Sequence, residues 1–179
     1  MLLISPAGCN SGKKGQPQAD APAAPEANNS VVAAPDISII DAAVAGNVAA
    51  IKQHIESRTN IDQKEPLAGG TPLIVASVLG HTEVARVLIE AGADIEAKNN
   101  EQTTPLCNTA FFCHPETVER LLKHGANVNT TDKNDTSLIE RIELPWNTAK
   151  GIYQIVYPRL ELELDDEKIQ ATRPVIAEM

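Results

Sequence analysis

A stretch beginning at Thr71, TPLIVASVLGHTEVARVLIEAGADI, returns at Thr104 as TPLCNTAFFCHPETVERLLKHGANV, 33 residues further on. Gly92-Ala93-Asp94 and Gly125-Ala126-Asn127 keep the same spacing. A worn copy, DAAVAGNVAAIKQHIESRTNID, starts at Asp41, and Gly46 stands 34 residues before Gly80. A later copy starts at Thr136 and loses register after Ile142. A fixed period in this range means stacked units, each too small to bury its own apolar face and stable only against its neighbours.

Each unit reads as two short helices. Thr71-Pro72 makes a turn with Pro at the first helical position, where its missing N–H costs nothing. Leu73 to Leu79 is apolar nearly all round, as a helix sandwiched between others must be. Gly80 ends that helix, a place where a left-handed backbone is usual. Thr82 or Glu83 opens a second helix in which Val84, Leu88 and Ile89 form a stripe at helical spacing. Gly92 stops it, and ADIEAKNNEQT crosses to the next unit as an extended, hairpin-like loop.

These features resemble the ankyrin repeat, a turn and two antiparallel helices with a Thr-Pro-Leu-His signature. The resemblance covers residues 36–160 and implies an all-α solenoid of helix-turn-helix units joined by hairpin-like loops. Its repeats fall at about 36–64, 68–97, 101–130 and 131–160, the outer ones degenerate as caps with one face in water should be. There are departures. Ile74 and Cys107 stand where the family's turn-bracing His would be, Cys113 replaces the inter-helix Gly, and Arg58 replaces the Gly of Gly-Ala-Asp.

The chain has only two Phe, two Tyr and one Trp, so Ala, Val, Leu and Ile must fill the thin layers between helices. The net charge is -9 and no basic stripe exists, which disfavours nucleic acid as a partner. Nothing approaches the length of a membrane-spanning helix.

The N-terminal segment differs from the rest. MLLISPAGC, residues 1–9, resembles the end of a bacterial lipoprotein signal, in which the Cys is lipidated. Residues 10–35 are rich in Ala, Pro, Gly, Ser and Asn, with too little apolar surface to offset the entropy of ordering, and read as a disordered tether. The resemblance implies lipid attachment at Cys9 and a location in a bacterial cell envelope. A cytoplasmic or host-directed protein with an ordinary N-terminus is the alternative. At the other end, residues 161–179 read as an acidic tail: Leu160, Leu162 and Leu164 suit a strand-like edge, and the acidic run after them suits a solvated end.

Cys107 and Cys113 lie about 9 Å apart along a helix, beyond the ~7 Å limit for the Cα atoms of a disulfide. Cys107 suits a packed position and Cys113 a more exposed one at the turn. Cys113-His114 juxtaposes a nucleophile and a base, so a thiol-dependent enzyme or redox protein is a second alternative. Yet His114 matches His81 of the preceding unit, as a turn residue would, and no third catalytic group accompanies it. His54, His81, His114 and His124 show no metal-ligand spacing. His54 falls at the position of Leu88 and Leu121, which suits a wetter face on an end unit. The sequence calls for no cofactor, metal or small-molecule substrate.

In ankyrin proteins partners dock on the concave side, formed by hairpin tips and the open end of the first helix. Carried over by position, the tips are Asn100, Glu101 and Thr103, then Lys133 and Asn134. The helix positions are Val44-Ala45, Val78-Leu79 and Phe111-Phe112. The expected function is binding of another protein on this face, with one Phe ring packed and the other partly exposed to the partner.

Overall fold

The computed structural model describes residues 33–156 and 165–179. Cys9, the tether up to residue 32 and the Leu160–Leu164 run lie outside the described residues. The elements are α1 (Ile39–Val44), α2 (Val48–Glu56), α3 (Pro72–Leu79), α4 (Thr82–Glu90), α5 (Pro105–Phe111), α6 (Pro115–Lys123), α7 (Leu138–Glu143), α8 (Trp146–Val156) and α9 (Asp166–Glu178). Among the described residues extended pairing is confined to one bridge, Thr131 with Ser137. The fold is an all-α solenoid of stacked helix pairs.

The first helices α1, α3, α5 and α7 pack in one row and the second helices α2, α4 and α6 in another. Thr71 and Thr104 cap α3 and α5: their hydroxyls accept the N–H of Ile74 and Cys107, each at 3.3 Å, with Pro72 and Pro105 in the first turn. Such a cap contributes about 1 kcal/mol. Ser137 does the same for α7 in a reciprocal capping box with Glu140. Between the rows lie small side chains such as Ala42, Ala76 and Ala110, with Leu73, Leu88, Leu106 and Leu121 fully buried. Burying each Leu contributes roughly 1.5–3 kcal/mol, and the alanines let the helix backbones approach closely.

Left-handed backbone recurs with the period. Among the described residues the positive-φ positions form three series: Gly46, Gly80 and Cys113 between the helices; Arg58, Gly92 and Gly125 after the second helix; Gly69, Gln102 and Asp135 at the loop tips. The series keep spacings of 33 or 34 although the residue type changes. Gly80 has φ 72° and ψ 23° and closes α3, as the sequence predicts.

Space explains why two of these positions must be glycine. A Cβ on Gly46 would come within 2.9 Å of the His81 ring, and one on Gly80 within 2.5 Å of His114. Each ring occupies the notch left by the glycine of the unit before. From there Nε2–H of His81 donates to the Val44 carbonyl at 3.0 Å, and that of His114 to the Val78 carbonyl at 3.3 Å. The series stops at Cys113 (φ 61°), where the next unit supplies no His. There Sγ itself lies 3.8 Å from the Phe111 carbonyl, the equivalent of Val44 and Val78. Cys113 is 3% exposed, not open at the turn as expected, because α9 covers it.

Two other expectations are corrected. His54 is buried in the end unit, where Nε2–H donates to the Ile37 carbonyl at 2.9 Å and Nδ1 lies 3.2 Å from the Thr59 hydroxyl. Hydrogen-bonding partners on both ring nitrogens let a polar side chain replace Leu inside without an unsatisfied group. The C-terminal segment is also more than a solvated acidic end. By register the second helix of the fourth unit is α8, and α9 packs on α5, α6 and α7. Ile169 and Ile176 of α9 are buried, as is Arg173. The Arg173 guanidinium donates through Nε to the Ile142 carbonyl at 3.0 Å and through one terminal NH2 to Leu144 at 2.6 Å. It therefore satisfies the carbonyls at the end of α7, where the helix dipole also favours a cation.

Candidate interaction surface

The loop tips are built from side chains that accept several backbone N–H groups at once. Asn99 Oδ1 receives the N–H of Glu101 and of Thr103, both at 3.0 Å. Asp132 Oδ1 receives those of Asn134 at 2.8 Å and Thr136 at 3.1 Å. Burial raises the Asp132 pKa, but these N–H donors and the Arg141 guanidinium outweigh it and hold the carboxyl below its ordinary value. At the first tip Glu65 plays this part, taking the N–H of Leu67 at 2.7 Å together with that of Ala68. Its pKa is likewise lowered: burial raises it, and the hydrogen bonds from Leu67, Ala68, Gly70 and Gly69 more than offset this.

The tips are also tied to one another. Asn100 donates its backbone N–H to the Ala68 carbonyl at 2.8 Å and its side-chain amide to the Leu67 carbonyl at 3.0 Å. One unit on, Lys133 donates its N–H to the Glu101 carbonyl at 2.9 Å and its ammonium pairs with the Glu101 carboxylate at 2.6 Å. The tips thus form a braced row in which Leu67, Asn100 and Lys133 hold equivalent places.

Within this row Asn100, Glu101, Lys133 and Asn134 are exposed, in keeping with a surface role. Thr103 is not. It is buried, its hydroxyl 2.9 Å from Asn99 Oδ1, and it braces the tip from within. At the ends of the first helices Val44 and Ala45 are exposed, and Val78 and Leu79 are half-buried. Phe111 and Phe112 are 8% and 7% exposed, so neither ring is offered to a partner. They meet edge to face at 5.2 Å between centroids, and the Arg141 guanidinium lies 5.3 Å from the centre of the Phe111 ring. Both rings belong to the buried core of the stack, against each other and, for Phe111, beneath Arg141 of α7.

Sequence reasoning missed Leu67, which is 90% exposed at a tip whose backbone is held on both sides. It lies 33 residues before Asn100. The 33-residue period is the signal that marks it in the sequence.

The geometry around Cys113 does not suit a nucleophile. Its Sγ faces the carbonyl oxygens of Phe111 and Ile169, at 3.8 and 3.9 Å, which disfavour a thiolate. The neighbouring imidazole is engaged elsewhere. Burial lowers the His114 pKa below the ordinary imidazole value, the bond to the Val78 carbonyl opposes this, and the charge of Lys168 adds to it. His114 serves as a brace to the preceding unit. Among the described residues no three His, Cys, Asp or Glu side chains converge as a metal site would require.

A family model described as "Ankyrin repeats (3 copies)" matches residues 39–132. A Caenorhabditis elegans homolog of the transient receptor potential cation channel subfamily A member 1 is 33% identical over 97 residues, 54% of this chain and 8% of that protein. The mouse (Mus musculus) protein phosphatase 1 regulatory subunit 12A is 33% identical over 82 residues, 46% of this chain and 8% of its own length. An ankyrin repeat-containing protein of Schizosaccharomyces pombe is 30% identical over 98 residues, covering 55% of this chain and 45% of that one. The chain therefore spans less than half the length of each of these relatives. The match is of repeats to repeats, and on the strength of the stacked helix pairs, the periodic left-handed turns and the model that fits more than half its length, this chain belongs to the ankyrin-repeat family.

Proposed function

We propose that this chain binds another protein along its row of loop tips and the adjoining open ends of its first helices, without catalysis or cofactor. Ankyrin repeats generally mediate protein–protein interaction, and a relative whose name makes it a phosphatase regulatory subunit offers a precedent for acting by binding. The observation that carries the reading is Leu67. A large apolar side chain 90% exposed on a rigidly held tip loses little further freedom on contact and gains the full benefit of burial. Asn100, Glu101, Lys133 and Asn134 form a polar rim beyond it. Phe111, Phe112 and Thr103 support this surface from below.

Leu67→Asp is expected to abolish capture of the native partner from the source organism's membrane fraction, while the urea midpoint moves by less than ~0.5 kcal/mol equivalent. Capture by Leu67→Asp at the wild-type level would remove the tip row as the binding surface. We further propose attachment to a bacterial envelope by lipid at Cys9, a reading supported by the sequence of residues 1–9 and the tether after it. Full-length protein expressed in a bacterial host should incorporate palmitate and partition into detergent, and Cys9→Ser should become soluble. Equal solubility of the two forms would favour the cytoplasmic alternative.

A further inference from the structure

We infer that α9 is a detachable cap, which undocks from the end of the solenoid as a unit while the repeats stay folded. Its attachment is narrow. Of its thirteen residues, Ile169, Arg173 and Ile176 are buried, a single stripe at helical spacing. The ion pair joining it to α8, Lys150 with Asp166, is between side chains about one-third exposed, where such pairs contribute little. The helix is also weak in itself. Pro174 lies inside it and brings no N–H for the Gln170 carbonyl, and a helix-interior Pro disfavours the helical state by roughly 100-fold. Once undocked, α9 has little reason to remain helical.

Beside Ile169 and Ile176 it is fastened by Arg173, whose guanidinium satisfies the Ile142 and Leu144 carbonyls. The repeats have no such single fastening: α3 packs against α1, α4 and α5 together. Elements with few buried groups open at lower free energy than the core. When α9 leaves, it uncovers Cys113, which lies against Ile169, and the ends of α5, α6 and α7. The end of the solenoid therefore has a closed state and an open state, and this holds whatever partner the tip row binds.

Cys113 itself reports the opening. With Cys9→Ser and Cys107→Ser in the full-length chain it is the remaining thiol, and its reaction with 5,5′-dithiobis(2-nitrobenzoate) is monitored without denaturant and at low urea. Labelling is expected to be slower than in unfolded protein, with a urea dependence less than half that of global unfolding, since little surface is exposed when α9 alone moves. Arg173→Met should speed it roughly 10- to 100-fold. Pro174→Ala, which restores a helical N–H on an exposed position, should slow it roughly 10-fold or more. Labelling with the full urea dependence of global unfolding, or at the rate of the unfolded chain, overturns the inference. So does a Pro174→Ala protein that labels as fast as its parent, an outcome readable even if Arg173→Met fails to fold.

Discussion

Gly80→Val is expected to destabilise the protein by roughly 2–5 kcal/mol, a large fraction of the ~5–15 kcal/mol that holds a domain of ordinary stability folded. Two costs combine. A β-branched residue at φ 72° is forced into a region that costs a non-glycine roughly 1–2 kcal/mol. Its Cβ would also sit 2.5 Å from the His114 ring, which must leave the notch and abandon the Val78 carbonyl. A partly buried acceptor left without its donor costs a further ~1–3 kcal/mol at most. Gly92→Ala is the control. Its φ is 85° but no atom lies within 4 Å of the new Cβ, so about 1 kcal/mol is expected from the backbone alone. Urea denaturation of the two proteins measures the difference. Equal losses would mean that the ring in the notch contributes nothing.

Phe111→Ala and Phe112→Ala should each cost about 3–5 kcal/mol, the range for removing a buried aromatic ring and leaving a cavity. The rings touch each other, and Arg141 stacks on one of them, so the double substitution should cost less than the sum of the single ones. Thermal or urea unfolding reads all three. A loss below ~1 kcal/mol for either single substitution would place that ring at the surface and revive it as a partner contact.

The helical framework was legible because its punctuation is local. Thr-Pro starts the first helices, Gly80 ends α3, and the 33-residue period aligns each unit with the next. The periodicity could not say which of two adjacent rings faces in, because Phe111 and Phe112 pack on each other and Phe111 lies beneath Arg141 of the next unit. Nor could it reveal α9, which lies outside the period and is placed by a single Arg reaching carbonyls some thirty residues back. His54 misled for a related reason: the register assigned it a position, but its partners Ile37 and Thr59 come from irregular backbone. Thr103 belongs to the tip in sequence, but its side chain is buried with its hydroxyl against Asn99.

The histidine notches give the molecule a direction of dependence. The ring always comes from the later unit and the notch from the earlier one: His81 enters at Gly46, and His114 at Gly80. A fault in a notch is therefore transmitted forward, by evicting a side chain that belongs to the next repeat. A lost ring is transmitted backward, by orphaning a carbonyl in the preceding one. Arg58, Gly92 and Gly125 answer to no neighbour in this way, since at both glycines a Cβ would meet open space. Cys113 closes its own notch with its own thiol, so the sequence of obligations that starts at the first repeat stops there, and the fourth unit owes the third no ring.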